Sequence, residues 1–248
     1  MSETQMALVV NGAHVLADIS GALFWPAAQT LIVADLHFEK GSAYAARGVA
    51  LPPYDTAATL ARLEACMATY RPKRVVSLGD AFHDDNWAAR MAQRDADRLA
   101  ALAASADFVW IGGNHDPTPP AGLAGQALSE MTLSADGELT FRHEPLARAA
   151  DGFRAGELAG HLHPCARIRW RGRNLRRRCF VGDGTRLVLP AFGALTGSLN
   201  VCDAAFEPLF DDRPFMVWMM GENRLAAFPS DKLLPDAASA QKIMQQHG

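Results

Sequence analysis

Short apolar runs at residues 7–10, 15–17, 23–25 and 31–34 open the chain, with a turn signal at Asn11-Gly12 between the first two. Runs of this length bounded by turn residues predict β-strands. From 39 to 70 the spacing becomes helical, in two pieces separated by Pro52-Pro53, with Leu60 and Leu63 on the inner face of the second. Residues 74–78 predict the next buried strand. Residues 87–104 predict one long Ala-rich amphipathic helix with Trp87, Met91, Leu99 and Leu102 as its apolar stripe. Residues 107–111 return to strand. Strand and helix alternating from 31 to 111 argue for right-handed βαβ units and a largely parallel sheet.

The pattern changes in the second half. From 131 to 218 short strands alternate with turns at Asp136-Gly137, Gly172, Asp183-Gly184 and Gly193, which predicts a second, mixed or antiparallel sheet. No polar linker divides the halves, so a single domain over 1–248 is expected, with a motif-bearing core at 31–200. About 230–248 reads as a C-terminal helix or tail.

Charge narrows the partners. A net charge of -3 gives no global basic field, so a nucleic acid would have to meet a local patch. The four cysteines show no C-x-x-C pairing, which argues against a zinc knuckle or a disulfide framework. Reduced thiols, an N-terminus without a basic signal-peptide region and no apolar stretch long enough to cross a bilayer lead us to expect a cytoplasmic protein.

Candidate chemistry collects just beyond the predicted strands. Asp35 and His37 follow the run at 31–34, and Asp80 and His83 follow 74–78. Asn114, His115 and Asp116 follow 107–111, His143 follows 139–141, and His161 and His163 follow Leu158. In open α/β sheets, ligands bind outside the carboxyl ends of the strands, where these groups would converge. Residues two apart on an extended chain point the same way, so Asp35/His37 and His161/His163 could each aim two ligands at one site. Alone, each piece has a bland alternative: an Asx turn, a surface histidine, a structural pair. Two carboxylates, one amide oxygen and four imidazoles suit manganese, iron or zinc better than calcium or magnesium. Seven ligands exceed one tetrahedral site and fit two ions sharing a carboxylate, roughly 3.5–4 Å apart, as in phosphoryl-transfer sites.

The ordered motifs DLHFEKG, GDAFH, GNHD, a lone histidine and GHLHP resemble those of the calcineurin-like metallophosphoesterases, from about Leu31 to beyond Pro164. DLHFEKG, GDAFH and HEP most resemble the bacterial subgroup associated with DNA ligases in damage response. The resemblance implies a four-layer αββα sandwich of two mixed β-sheets flanked by helices. It implies a dinuclear phosphodiesterase that works through a metal-bridging hydroxide, with two divalent ions, Mn2+ ahead of Fe or Zn. By position, Asp35, His37, Asp80 and His163 would hold one ion, and Asp80, Asn114, His143 and His161 the other. His115 would protonate the leaving group or bind the phosphate, with Asp116 orienting it. His83 matches a histidine that lies near the substrate phosphate in the nuclease branch, with a hydrogen-bonded structural role as the alternative. The subgroup also implies a functional link to an ATP-dependent DNA ligase and a helicase. His143 is followed by Glu144-Pro145, where many relatives have glycine.

After the last histidines the chain reads RIRWRGRNLRRR. On a strand, Arg167, Arg169 and Arg171 would share one face and Ile168 and Trp170 the other, with a turn at 172–174 and Arg173 just beyond Gly172. Guanidinium forks suit phosphate, and the position after His163 suggests a tract beside the metals. A solvated face is the alternative. Three functions stay open at this point: a nuclease acting on DNA or another nucleic acid, an enzyme for a small nucleotide or phosphoester, and a non-catalytic scaffold of the same fold.

Overall fold

A computed structural model of the protein describes residues 4–49, 51, 54–117 and 122–236. Pro52, Pro53 and most of the expected C-terminal helix fall outside these. The opening apolar runs form an antiparallel meander: β1 (Gln5–Val10), β2 (Ala13–Asp18), β3 (Leu23–Trp25) and β4 (Thr30–Val33). From β4 the sheet becomes parallel, through β5 (Arg74–Leu78), β6 (Asp107–Ile111) and β7 (Gln126–Leu128). The alternation predicted that change. β7 was not foreseen, because its three residues lack a buried apolar face.

Helices α1 (Lys40–Ala46) and α2 (Asp55–Tyr70) connect β4 to β5. The expected long helix before β6 is two pieces, α3 (Trp87–Arg90) and α4 (Gln93–Ala104), because Met91 and Ala92 are extended. The break serves two anchors. Trp87 stacks on Phe82 with ring centroids 3.9 Å apart, and Leu99 and Ala103 pack into the cluster beneath the sheet.

The second half forms a mixed sheet with the path β14-β11-β12-β13-β10-β9-β8, and β15–β16 attached to β12. Its strands are β8 (Glu130–Ser134), β9 (Glu138–Arg142), β10 (Glu157–Ala159), β11 (Pro164–Trp170) and β12 (Arg173–Gly182). β13 (Arg186–Val188), β14 (Leu199–Asn200), β15 (Met216–Met220) and β16 (Leu225–Pro229) complete it.

Three apolar clusters account for the layers. Ile32, Val76 and Ile111 meet Phe141, Leu158 and Phe180 between the sheets. Leu31, Val75 and Phe108 meet Leu60, Leu63 and Leu99 under the first helical layer. Ala166, Val181 and Val188 meet Phe206 and Leu209 on the far side. That last layer is thin: a 3-10 turn (Ala204–Phe206) and the one-turn α5 (Glu207–Phe210). After β16 a 3-10 turn (Ser230–Lys232) leads to extended chain, where Leu233 bridges to Ile168. The described start of the expected C-terminal helix or tail, through Asp236, contains no α-helical turn. Among the described residues no helix is long and apolar enough to cross a membrane.

Candidate metal centre

Beyond their last ladder bonds, β4 and β5 continue as two loops that brace each other. His37 donates its backbone N–H to the Asp80 carbonyl at 2.8 Å and Phe38 to the Ala81 carbonyl at 2.8 Å. From the second sheet side, the Phe192 and Gly193 N–H groups reach the carbonyls of Ala34 and Asp35. Asp35, His37, Asp80, His161 and His163 all have positive φ, between 45° and 70°. Such residues cost roughly 1–2 kcal/mol each and persist where surrounding bonds hold them. Asp35/His37 and His161/His163 thus do converge, through left-handed turns rather than along an extended strand.

Close approach requires glycine at two neighbours. A Cβ on Gly79 would collide with the His143 ring, and one on Gly113 with Oδ1 and the backbone N of Asp80.

The side chains gather in two adjacent sets. In the first, Nε2 of His37 and Nε2 of His163 stand 3.3 Å apart, with Asp35 Oδ1 3.5 Å from His163 Nε2. In the second, His143 Nε2, Asn114 Oδ1 and His161 Nδ1 form a triangle of 2.9, 3.1 and 3.1 Å. Asp80 lies between them, Oδ2 at 3.8 Å from His37 Nε2 and Oδ1 at 3.5 Å from His143 Nε2. Asp35 also approaches His143, but at Nδ1, which faces the Leu78 carbonyl at 2.9 Å. Asp80 is thus the carboxylate that faces available ring nitrogens on both sides.

These spacings fit divalent cations. Ligands about 2.1 Å from one ion stand about 3.0 Å apart at right angles and about 3.4 Å apart at the tetrahedral angle. Burial, then the neighbouring His163 and Lys40, pushes the His37 ring down to about 2, so it is neutral and free to donate a lone pair. Its Nδ1 is buried without a hydrogen-bond partner.

His115 sits at the rim. Its backbone N–H donates to Asp80 Oδ1 at 2.9 Å, and its Nδ1 lies 3.0 Å from the His83 carbonyl oxygen. The His83 ring stacks on it at 5.0 Å, and burial lowers the His83 pKa. Asp116 does not orient His115. Its carboxylate accepts from the backbone N–H groups of Gly113 at 3.2 Å and Phe82 at 3.1 Å, tying the GNHD loop to the GDAFH loop. Burial pushes that carboxyl up to about 7; the Phe82 donor opposes the shift and Asp80 adds to it.

The arginine hairpin differs from the expected one. The register pairs Trp170 with Arg173, so the turn is the two residues Arg171 and Gly172, both with positive φ. That is the favoured geometry for a two-residue hairpin. Arg171 therefore leaves the strand face of Arg167 and Arg169, and Arg173 lies opposite Trp170 on the other face. Arg167 donates to the Pro235 carbonyl. Arg178 is half-buried and donates to the carbonyls of Ala191 and Gly193, while Arg62 donates to that of Phe192. These two side chains pin the loop that braces Asp35. No motif marked them, because their partners are backbone carbonyls distant in sequence. Cys165 is fully buried, and all four cysteines are free thiols.

No curated protein sequence matches the chain. The crystal structure of Pseudomonas putida nuclease MPE superposes with a TM-score of 0.65 at 27% identity, covering 90% of this chain and 100% of that one. Yfce, a phosphoesterase from E. coli, superposes with a TM-score of 0.42 at 14% identity, covering 80% of this chain and 97% of the other. The calcineurin-like phosphoesterase family model matches residues 28–180, more than half of the sequence, and the chain belongs to that family of metal-dependent phosphoester hydrolases.

Proposed function

We propose that the protein is a two-cation phosphodiesterase that cleaves nucleic acid, DNA in the first place. The observation that carries this reading is Asp80, whose two oxygens face His37 on one side and His143 on the other. Asp35, His37, Asp80 and His163 would hold one cation, and Asp80, Asn114, His143 and His161 the second. When bound, such a pair lowers the pKa of a water to make a nucleophile and offsets the charge of a phosphate. The seven-ligand donor set supports manganese, with iron or zinc as alternatives.

His115 supplies the proton for the leaving oxygen. The His83 carbonyl, 3.0 Å from Nδ1, holds the exposed ring in place at the rim of the site. His83 itself would act by stacking and by that carbonyl.

The nuclease similarity over 90% of the chain supports a nucleic-acid substrate. So does the hairpin: Arg169 lies six residues beyond His163 on extended chain, roughly 20 Å away. That is too far for a clamp on a small pyrophosphate and suits a substrate with many phosphates. Setting the enzyme in ligase-associated repair, with an ATP-dependent DNA ligase and a helicase as functional partners, rests on the DLHFEKG, GDAFH and HEP motifs. Four free thiols suit a cytoplasmic location.

The test compares three substrates on protein of measured metal content: a chromogenic diester, a chromogenic monoester and single-stranded DNA. The reading expects turnover of the diester and DNA with little on the monoester. Preference for the monoester, with DNA untouched, would contradict it.

A further inference from the structure

The β11–β12 and β15–β16 hairpins enclose a groove of about 540 Å³ that the phosphoester chemistry does not use. Ile168, Trp170, Leu175 and Phe228 wall it, Arg177 and Arg224 edge it, and Glu222 is the single carboxylate along it. Trp170 is 49% exposed, although the strand it ends is mostly buried. Phe228 meets it edge-on, with ring centroids 6.3 Å apart. Arg173 lies directly opposite Trp170 in the ladder. Across the hairpin's seven arginines, Arg176 with Asp236 is the one ion pair among the described residues.

An open indole face beside guanidinium groups without carboxylate partners has a definite complement. Every nucleobase presents a π-face and every nucleotide a phosphate, so a strand satisfies both at one place. A base within a duplex has its faces covered by its neighbours. Away from a duplex end, Trp170 can therefore stack only on an unpaired one.

We infer that this groove anchors an unpaired base of a nucleic-acid strand on Trp170, its flanking phosphates held by Arg173, Arg177 and Arg224. The inference rests on the nuclease reading and adds to it a subsite remote from the cations. Trp170 is seven residues past His163 along extended β11, roughly 23 Å away. A strand rising about 3.4 Å or more per nucleotide crosses that distance in about seven nucleotides or fewer. The subsite thus holds the strand away from the scissile bond and favours substrates longer than that span.

The test measures affinity of the full-length, Mn2+-loaded protein for a cleavage-resistant phosphorothioate 12-nucleotide oligothymidine and for an abasic strand of the same length and linkage. Wild type should prefer the base-bearing strand. Trp170→Ala should weaken it by roughly 5- to 150-fold, the range for one lost base–aromatic stack, and change abasic binding less than twofold. Trp170→Phe should keep most of the affinity, and matching melting curves should show that both variants fold. Equal oligothymidine affinity in wild type and Trp170→Ala, in a wild type that binds and cleaves DNA, would overturn the groove assignment alone. A wild type that neither binds nor cleaves the oligonucleotide would overturn the nuclease reading and the groove with it. A wild-type dimer that Trp170→Ala turns into a monomer would assign the groove to a second copy of the chain and overturn the inference.

Discussion

Nε2 of His143 stands 2.9 Å from Oδ1 of Asn114, and in the neutral ring neither atom has a proton to offer the other. The His143 proton is committed to Nδ1, where the Leu78 carbonyl accepts it at 2.9 Å. Two lone pairs held this close repel unless a cation lies between them. The relationship therefore ties stability to metal. Chelation should lower the melting temperature, and restoring Mn2+ should raise it. At free ion 100-fold above the dissociation constant the gain is about 2.7 kcal/mol per site. Identical melting curves with and without chelator would count against the metal centre.

His115→Ala should retain both cations and lose roughly 10²–10⁴-fold in turnover, the range for a positioned proton donor. Metal analysis and diester hydrolysis on one preparation decide it. Loss of metal would make His115 a structural or ligating residue. Unchanged turnover would move the acid role elsewhere, with His83, stacked on it at 5.0 Å, first in line.

Asp116→Ala separates a loop tie from an acid's helper. Removing the carboxylate leaves the N–H groups of Gly113 and Phe82 without their acceptor, at about 1–3 kcal/mol for the buried Phe82 donor and less for the half-buried Gly113 one. We expect lower thermal stability and an activity loss that follows metal occupancy at Asn114. If stability and metal content stayed unchanged while turnover fell, the residue would be acting on His115 after all.

Arg169, Arg171 and Arg173 changed together to glutamine keep side-chain length and lose three charges. Should all three meet backbone phosphates, the slope of log affinity against log salt falls by about 0.7 per lost contact on a single strand. Binding isotherms across a salt series give that slope. An unchanged slope would return the hairpin to the role of a solvated face.

Much of the scaffold was legible in the sequence because burial leaves a direct mark on it. The runs at 31–34, 74–78 and 107–111 are apolar because helices cover one face of the parallel sheet and the second sheet covers the other. The convergence of Asp35, Asp80, Asn114 and the histidines followed from their place after strands. What stayed hidden was written in backbone geometry and in distant partners. The left-handed φ of His37 and His163 has no residue signature, since neither is glycine. The break at Met91 depends on where Trp87 finds Phe82. Asp116 looked like an imidazole partner because it follows His115, yet its acceptors serve Gly113 and Phe82. One residue of turn length moved Arg171 off the strand and put Arg173 beside Trp170.

The account stands most directly on the sharing of Asp80, so the decisive measurement is the Mn2+ content of wild type and Asp80→Asn after identical loading and desalting. Two ions per chain in wild type, with both sites depleted in the variant, is the predicted result. An Asp80→Asn protein that still holds two ions per chain, or a wild type that saturates at one, would contradict it.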